Sequence, residues 1–323
     1  MRAHKKPDFP YELDFTAELE HIQDHQIHRK IPAATDTNLL IATWNLTNFG
    51  VQERENDHLE IMAEIIKPFD VVAIQEVADD LGHFETLVST LGSDWDTIYT
   101  DIAGNQERLG YLFNRKRIVP TGLAAELAMR GYERRRITIQ VGDVEEEQEF
   151  EGFNRNPFIV SFIAKQFEFT IVNVHLYWTN FTLRMLEAKA LTKWAKSRVN
   201  KQFPPHNDII LIGDFNMPRV EEGDEIYDLL REGGIEFPKY DTELIGSNLA
   251  GDKHYDQIAF FPSRTEEDFT DRIGVFDFDK VLFPDLWDDE DREKQKQFYQ
   301  YVRYYMADHR PLWAEFHRSA NPV

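Results

Sequence analysis

Leu39-Leu-Ile-Ala-Thr-Trp-Asn45 is a short apolar run that stops on a side-chain amide. The chain repeats this device at Val71–Ile74, Tyr111–Phe113, Phe158–Ile163, Phe169–Val174, Ile209–Ile212, Ile258–Phe261 and Leu312–Phe316. Runs this short, bounded by polar residues, read as buried strands. Asp57–Lys67, with Leu59, Ile61, Met62, Ile65 and Ile66, carries apolar residues at helical spacing, as does Thr182–Val199, with Leu183, Leu186, Ala190, Leu191 and Trp194. Some strands follow one another directly, as at 158–163 and 168–174, and others are separated by helices. The sheets are therefore expected to be mixed, two of them packed together and flanked by helices.

Outside this pattern lie residues 1–37, polar and rich in His and Glu, which read as an N-terminal extension packing as a short helix or strap. Residues 38–323 form the expected main domain, within which the acidic, Phe-rich 264–293 stretch reads as an irregular insertion. His21, Asp24, His25 and His28 have the spacing of one helical face, as in some zinc sites, but a solvated surface helix is the expectation.

Composition narrows the chemistry. The 323 residues are 42% apolar and 13% aromatic, enough for a large buried core. With no cysteine, disulfides, thiolate zinc sites and a cysteine nucleophile are excluded, and any metal must be a hard ion on carboxylate, amide or imidazole. Nothing approaches the ~20 apolar residues of a membrane helix, so no membrane insertion and a cytoplasmic location are expected. The formal net charge of −22 speaks against a broad electrostatic footprint on DNA, although bound cations would neutralise part of it.

The informative polar residues stand where strands end and side chains meet solvent, which is where active sites are built on a rigid scaffold. Asn45, Glu76, His175, Asp214 and Asn216 each follow an apolar run, and Asp308 with His309 precede the last one. This set suits metal-assisted attack of water on a phosphate. Glu76 and Asp308 can hold Mg²⁺ or Mn²⁺, with Asn45 completing the shell, while Asn216 can donate to a phosphoryl oxygen without adding negative charge. Two histidines allow one base and one acid. Tyr177 and Trp178 follow His175 and can stack on a base or sugar or pack under the loop, with Tyr177 taken as a substrate contact.

The stretches Ile41-Ala-Thr-Trp-Asn45, Ala73-Ile-Gln-Glu76-Val77, Asn173-Val-His175, Gly213-Asp-Phe-Asn216 and Asp308-His309-Arg-Pro311 resemble, in order, the motifs of the endonuclease/exonuclease/phosphatase superfamily. The likeness runs from about residue 39 to 317, and its DNase I-like branch is the nearest. It implies a four-layer αββα sandwich of class α/β (α+β), with two mixed sheets face to face. It further implies that Glu107, in Gln106-Glu107-Arg108, charges and orients His175 as the acid. Asp256, in Tyr255-Asp-Gln-Ile258, would do the same for His309 as the base, and Asp214 would orient water or bind a second metal. Arg155, in Phe153-Asn-Arg-Asn-Pro157, would contact the substrate phosphate, although Asn156 replaces the family's usual acidic neighbour. The disulfide and calcium-site features of secreted DNase I are not evident. The expected activity is a metal-dependent phosphodiesterase, an endonuclease on DNA ahead of RNA, with no obligate protein partner. Its rivals are a phosphoesterase acting on a sphingolipid, inositol phosphate or other small ester, and a non-catalytic binding protein on the same scaffold.

Overall fold

In this computed structural model, which describes residues 1–140, 147–200, 208–239 and 245–318, the first half runs α1 (Phe15–His28), β1 (Asn38–Phe49), α2 (Asn56–Ile66), β2 (Val71–Val77), α3 (Gly82–Leu91), β3 (Trp95–Tyr99), β4 (Arg108–Asn114) and β5 (Val119–Glu126). A short α4 (Gly131–Arg134) and a two-stranded ribbon, β6 (Thr138–Gln140) with β7 (Glu147–Glu149), lead into β8 (Phe158–Ala164) and β9 (Phe167–His175). Then come α5 (Phe181–Val199), β10 (Asp208–Asp214), α6 (Glu225–Glu232), β11 (Asp256–Phe260), α7 (Pro262–Thr265), β12 (Phe269–Val275), α8 (Arg292–Tyr305) and β13 (Leu312–His317).

The strands form a six-stranded sheet, ordered β12-β13-β1-β2-β4-β3, and a five-stranded sheet, ordered β11-β10-β9-β8-β5. Both are mixed. The parallel neighbours are β1 with β2 in the first and β9 with β10 in the second, each joined by a helical crossover, and the other pairs are antiparallel. Alternation along β1 shows why its sequence is continuously apolar. Leu39 and Ile41 meet Val160, Phe169, Ile210 and Ile212 between the sheets, whereas Leu40, Ala42 and Trp44 pack outward with α1, α2, α3 and α8. The far face of the second sheet, with Val172, Val174, Ile209 and Leu211, is covered by α5 and α6. The result is the αββα sandwich, with every inner strand buried on two faces. Truncating Ile41, fully buried, to Ala would cost about 2–5 kcal/mol.

Two flanking expectations change. The 264–293 stretch contributes an edge strand, β12, paired with β13, and Phe276, Phe278, Leu282 and Phe283 enter the outer core. Its acidity conceals this because buried Asp279 is matched by Arg310 at 2.6 Å, and buried Asp277 by His25 at 2.9 Å and Arg29 at 3.1 Å. That same pair removes His25 from the solvated face expected of α1, leaving Asp24 and His28 exposed. The first residues run along the molecule beside α8, whose Gln300 amide donates to the Lys5 and Lys6 carbonyls, and the His4 N–H donates to the Gln52 side chain. No helix among the described residues is long and apolar enough to cross a membrane. The last residues of the 38–323 expectation, 319–323, lie outside the described residues.

Candidate active site

Parallel strands end together, so each crossover delivers two side chains to one end of its sheet. β1 ends in the segment carrying Asn45 and β2 in the one carrying Glu76, while β9 and β10 end on His175 and Asp214. Across the second sheet His175 pairs with Asp214 and Asp214 with Asp256, so three polar residues stand side by side. Gly213 permits this approach. Its φ is +131°, and a Cβ there would lie 2.1 Å from the Val174 carbonyl oxygen.

One atom marks the meeting point. Asp214 Oδ2 lies 3.5 Å from His175 Nε2 and 3.9 Å from His309 Nε2, and it accepts a 3.2 Å hydrogen bond from Asn45 Nδ2. Asn45 also donates to Glu76 Oε1 at 3.1 Å, and its carbonyl accepts from the Thr47 N–H at 3.0 Å. The amide expected in a metal shell is thus a bridge between two carboxylates, one from each sheet.

Each imidazole is backed by a buried carboxylate. His175 Nδ1 is 2.6 Å from Glu107 Oε1, and His309 Nδ1 is hydrogen-bonded to Asp256 Oδ2 at 2.7 Å. Burial works against the charged form of both imidazoles. His175 is further repelled by Arg155, yet Glu107 and Asp214 raise it above its ordinary value. For His309, Asp256, Asp214 and Asp308 outweigh burial and raise it well above. Burial would lift Glu107, but His175 and Arg155 hold it below the usual carboxylate range.

Beside these pairs, Glu76 Oε2 accepts from the Asn48 N–H at 2.8 Å, and Asp308 Oδ1 accepts from the Thr47 hydroxyl at 2.6 Å. Burial first, and then Glu107 and Asp308, push Glu76 above its ordinary value. Asp308 is held well below: burial opposes this, and His4, His309 and Thr47 outweigh it, with His4 Nε2 3.4 Å from Oδ2. Carboxylates crowded in this way fit a hard divalent cation, the partner that would relieve their repulsion. Among the described residues the tightest potential ligand groups are Glu76 with Glu107 and His175, and Asp214 with Asp256 and His309. The backbone is strained in the same place. Among the described residues, six of the ten non-glycine residues with positive φ are Thr47, Asn48, Glu76, Asn105, Gln106 and Asn216, a concentration typical of functional sites.

The remaining predicted residues stand differently. Arg155 is buried beside Glu107, its Nε 3.0 Å from Oε1, and it donates to the carbonyls of His175 and Leu176 at 2.9 Å. Its guanidinium supports the dyad rather than facing the crevice. Asn216 reaches the site, but one of its amide hydrogens goes to the Leu176 carbonyl at 2.9 Å. Half-buried Tyr177 is tied through its N–H to Glu187 at 2.7 Å. Sequence reasoning passed over Glu187, which also accepts from the Asn154 N–H at 2.7 Å, and Thr47, which orients Asp308. Thr47 lies two residues beyond Asn45 and was findable there; Glu187 sits inside a helix, with no local sign that it faces two loops.

The sequence matches no protein-family model and no curated protein. Among solved structures the chain is similar to an endonuclease/exonuclease/phosphatase family protein from Bacteroides thetaiotaomicron, with TM-score 0.55 and 18% identity over 87% of this chain and 95% of that one. The fold is that of the endonuclease/exonuclease/phosphatase proteins. A mannosyl-6-phosphatase from the same organism is similar over 86% of this chain and 99% of its own, with TM-score 0.55 and 17% identity. So is a 3′ phosphatase from Neisseria bound to a product DNA hairpin, over the same shares, with TM-score 0.51 and 14% identity. At such identities the likeness is one of fold.

Proposed function

We propose that this chain is a divalent-metal-dependent phosphodiesterase that hydrolyses nucleic acid, DNA ahead of RNA. The convergence of Asn45, His175 and His309 on Asp214 carries the reading, because it joins amide, imidazole and carboxylate from both sheets at one point. Mg²⁺ or Mn²⁺, held by Glu76 and Asp308, would neutralise charge building on the phosphoryl oxygens. Asn45 keeps Glu76 and Asp214 together, and the second amide hydrogen of Asn216 is the donor for a phosphoryl oxygen.

Proton transfer falls to the two dyads. His309, backed by Asp256, accepts the proton of the attacking water, and His175, backed by Glu107, donates one to the leaving alkoxide. Asp214, within 4 Å of both Nε2 atoms, orients the attacking water or holds a second metal. Arg155 acts through Glu107 and not on the phosphate, and Tyr177 through its loop.

The test is nicking of supercoiled plasmid in Mg²⁺, abolished by chelator. His175→Ala and His309→Ala should each reduce the rate about 10²–10⁴-fold. Activity that survives both substitutions overturns the assignment. A second reading, a phosphoesterase on small anionic esters, is supported by the likeness to a sugar phosphatase, and the net charge of −22 does not disfavour it more than it disfavours DNA. Phosphate release from sugar phosphates without nicking of plasmid would select it.

A further inference from the structure

The loop that leaves β9 passes from His175 straight to an exposed aromatic surface. Trp178 is 61% exposed and Phe181 45%, although each would gain by burying its ring. Single exposed apolar residues are ordinary on a protein surface. These two stand three residues apart, at the start of α5, and a guanidinium is set against them. Arg184 lies 5.6 Å over the Phe181 ring and donates to the Trp178 and Tyr177 carbonyls at 3.2 and 3.4 Å. Its Nε is buried without a hydrogen-bond partner, and it lies in the field of Asp214.

The loop is also held rigidly. Glu187 binds the Tyr177 N–H, Arg155 and Asn216 both donate to the Leu176 carbonyl, and the Asn180 side chain caps α5 through the Leu183 N–H at 3.1 Å. Two exposed rings on an anchored segment form a prepared platform and lose little on binding.

We propose that Trp178 and Phe181, with Arg184, form a subsite for an unstacked nucleobase of a single-stranded nucleic acid lying next to the phosphate at His175. This rests on the phosphodiesterase reading and names its substrate class. A π-face on Trp178 or Phe181 accepts any base, and Arg184 offers a cation to the adjoining phosphate. Stacking contributes affinity without a basic surface. That is the form of nucleic-acid binding open to a chain with a net charge of −22, whereas a duplex keeps its bases stacked and is held chiefly through its phosphates. An anionic lipid surface, which the net charge repels, is the competing occupant.

The experiment measures fluorescence anisotropy of an end-labelled hexathymidylate and of an abasic hexamer of equal charge. It is done in Mg²⁺ on the His309→Ala background, so that neither probe is consumed. The base-containing probe should bind about tenfold more tightly. Joint Trp178→Ala and Phe181→Ala substitution should abolish that preference and leave the abasic affinity unchanged, while Trp178→Phe retains most of it. Both positions are exposed, and an unchanged urea midpoint verifies the fold. Equal affinity for the two probes, binding of neither, or a preference that survives the double substitution overturns the proposal. So does co-sedimentation with phosphatidylserine vesicles that the double substitution removes. Failure of the wild-type protein to cleave both supercoiled plasmid and single-stranded DNA in Mg²⁺ while the probes still discriminate removes the hydrolase reading and leaves the subsite. The reverse result removes the subsite alone.

Discussion

Three imidazoles, His58 and His175 buried and His309 mostly so, face different neighbours, and their contrast shows how the neighbouring charge acts on each. His175 and His309 each face a carboxylate and are raised, the first held back by Arg155 and the second raised by Asp256, Asp214 and Asp308 together. His58, in the outer core, faces the Tyr301 hydroxyl at 2.9 Å and stacks on Tyr305 at 4.4 Å, with no carboxylate opposite. Burial, aided by Arg54, pushes it down to about 4. Burial disfavours the imidazolium in all three, so the neighbouring charge decides the sign.

The two proposed dyads differ in what stands behind the carboxylate, and the largest expected effects probe that difference. Asp256→Asn should lower plasmid nicking about 10²–10⁴-fold. Its urea midpoint should hold or rise, because the substitution removes a buried charge that Asp214 repels. Glu107→Gln should lower nicking comparably and also destabilise the protein by about 3–5 kcal/mol, because Arg155 is left buried without its counter-charge. Equal stability losses in the two variants would erase the distinction.

His58 sharpens the contrast through pH. Its folded value, about 4, lies below the unfolded 6.5, so the unfolded chain binds the extra proton between these limits. Stability from this group is full above pH ~6.5 and declines as pH falls toward ~4, by about 3 kcal/mol in total. Urea midpoints of His58→Phe should fall less steeply over that window than those of the wild type. A parallel decline in both proteins would mean that burial does not hold His58 neutral.

The smallest effect concerns Thr47, whose hydroxyl orients Asp308. Thr47→Val should weaken Mg²⁺ binding about tenfold in calorimetry, the usual consequence of losing a group that positions a metal ligand. Unchanged affinity would place the cation away from Asp308.

Much of this was legible beforehand for a local reason. All eight apolar runs became strands, and the two predicted helices begin within one residue of expectation, at Asn56 and Phe181, because apolar periodicity reflects burial directly. β12 was missed because Asp271 and Arg272 break its apolar pattern. α8 was missed because its buried face is Phe298, Tyr301, Val302 and Tyr305 in an otherwise charged segment.

The amino-acid order by itself determined which residues stand at strand ends, since strand length and side-chain alternation are properties of a short segment. Only the tertiary structure decided what those residues face. Glu107 leads into a strand of one sheet and His175 ends a strand of the other, so their pairing exists only once the sheets pack. Arg155 turned toward Glu107, and Asn45 became a bridge, because a buried charge or amide takes whichever partners the packed interior leaves within reach.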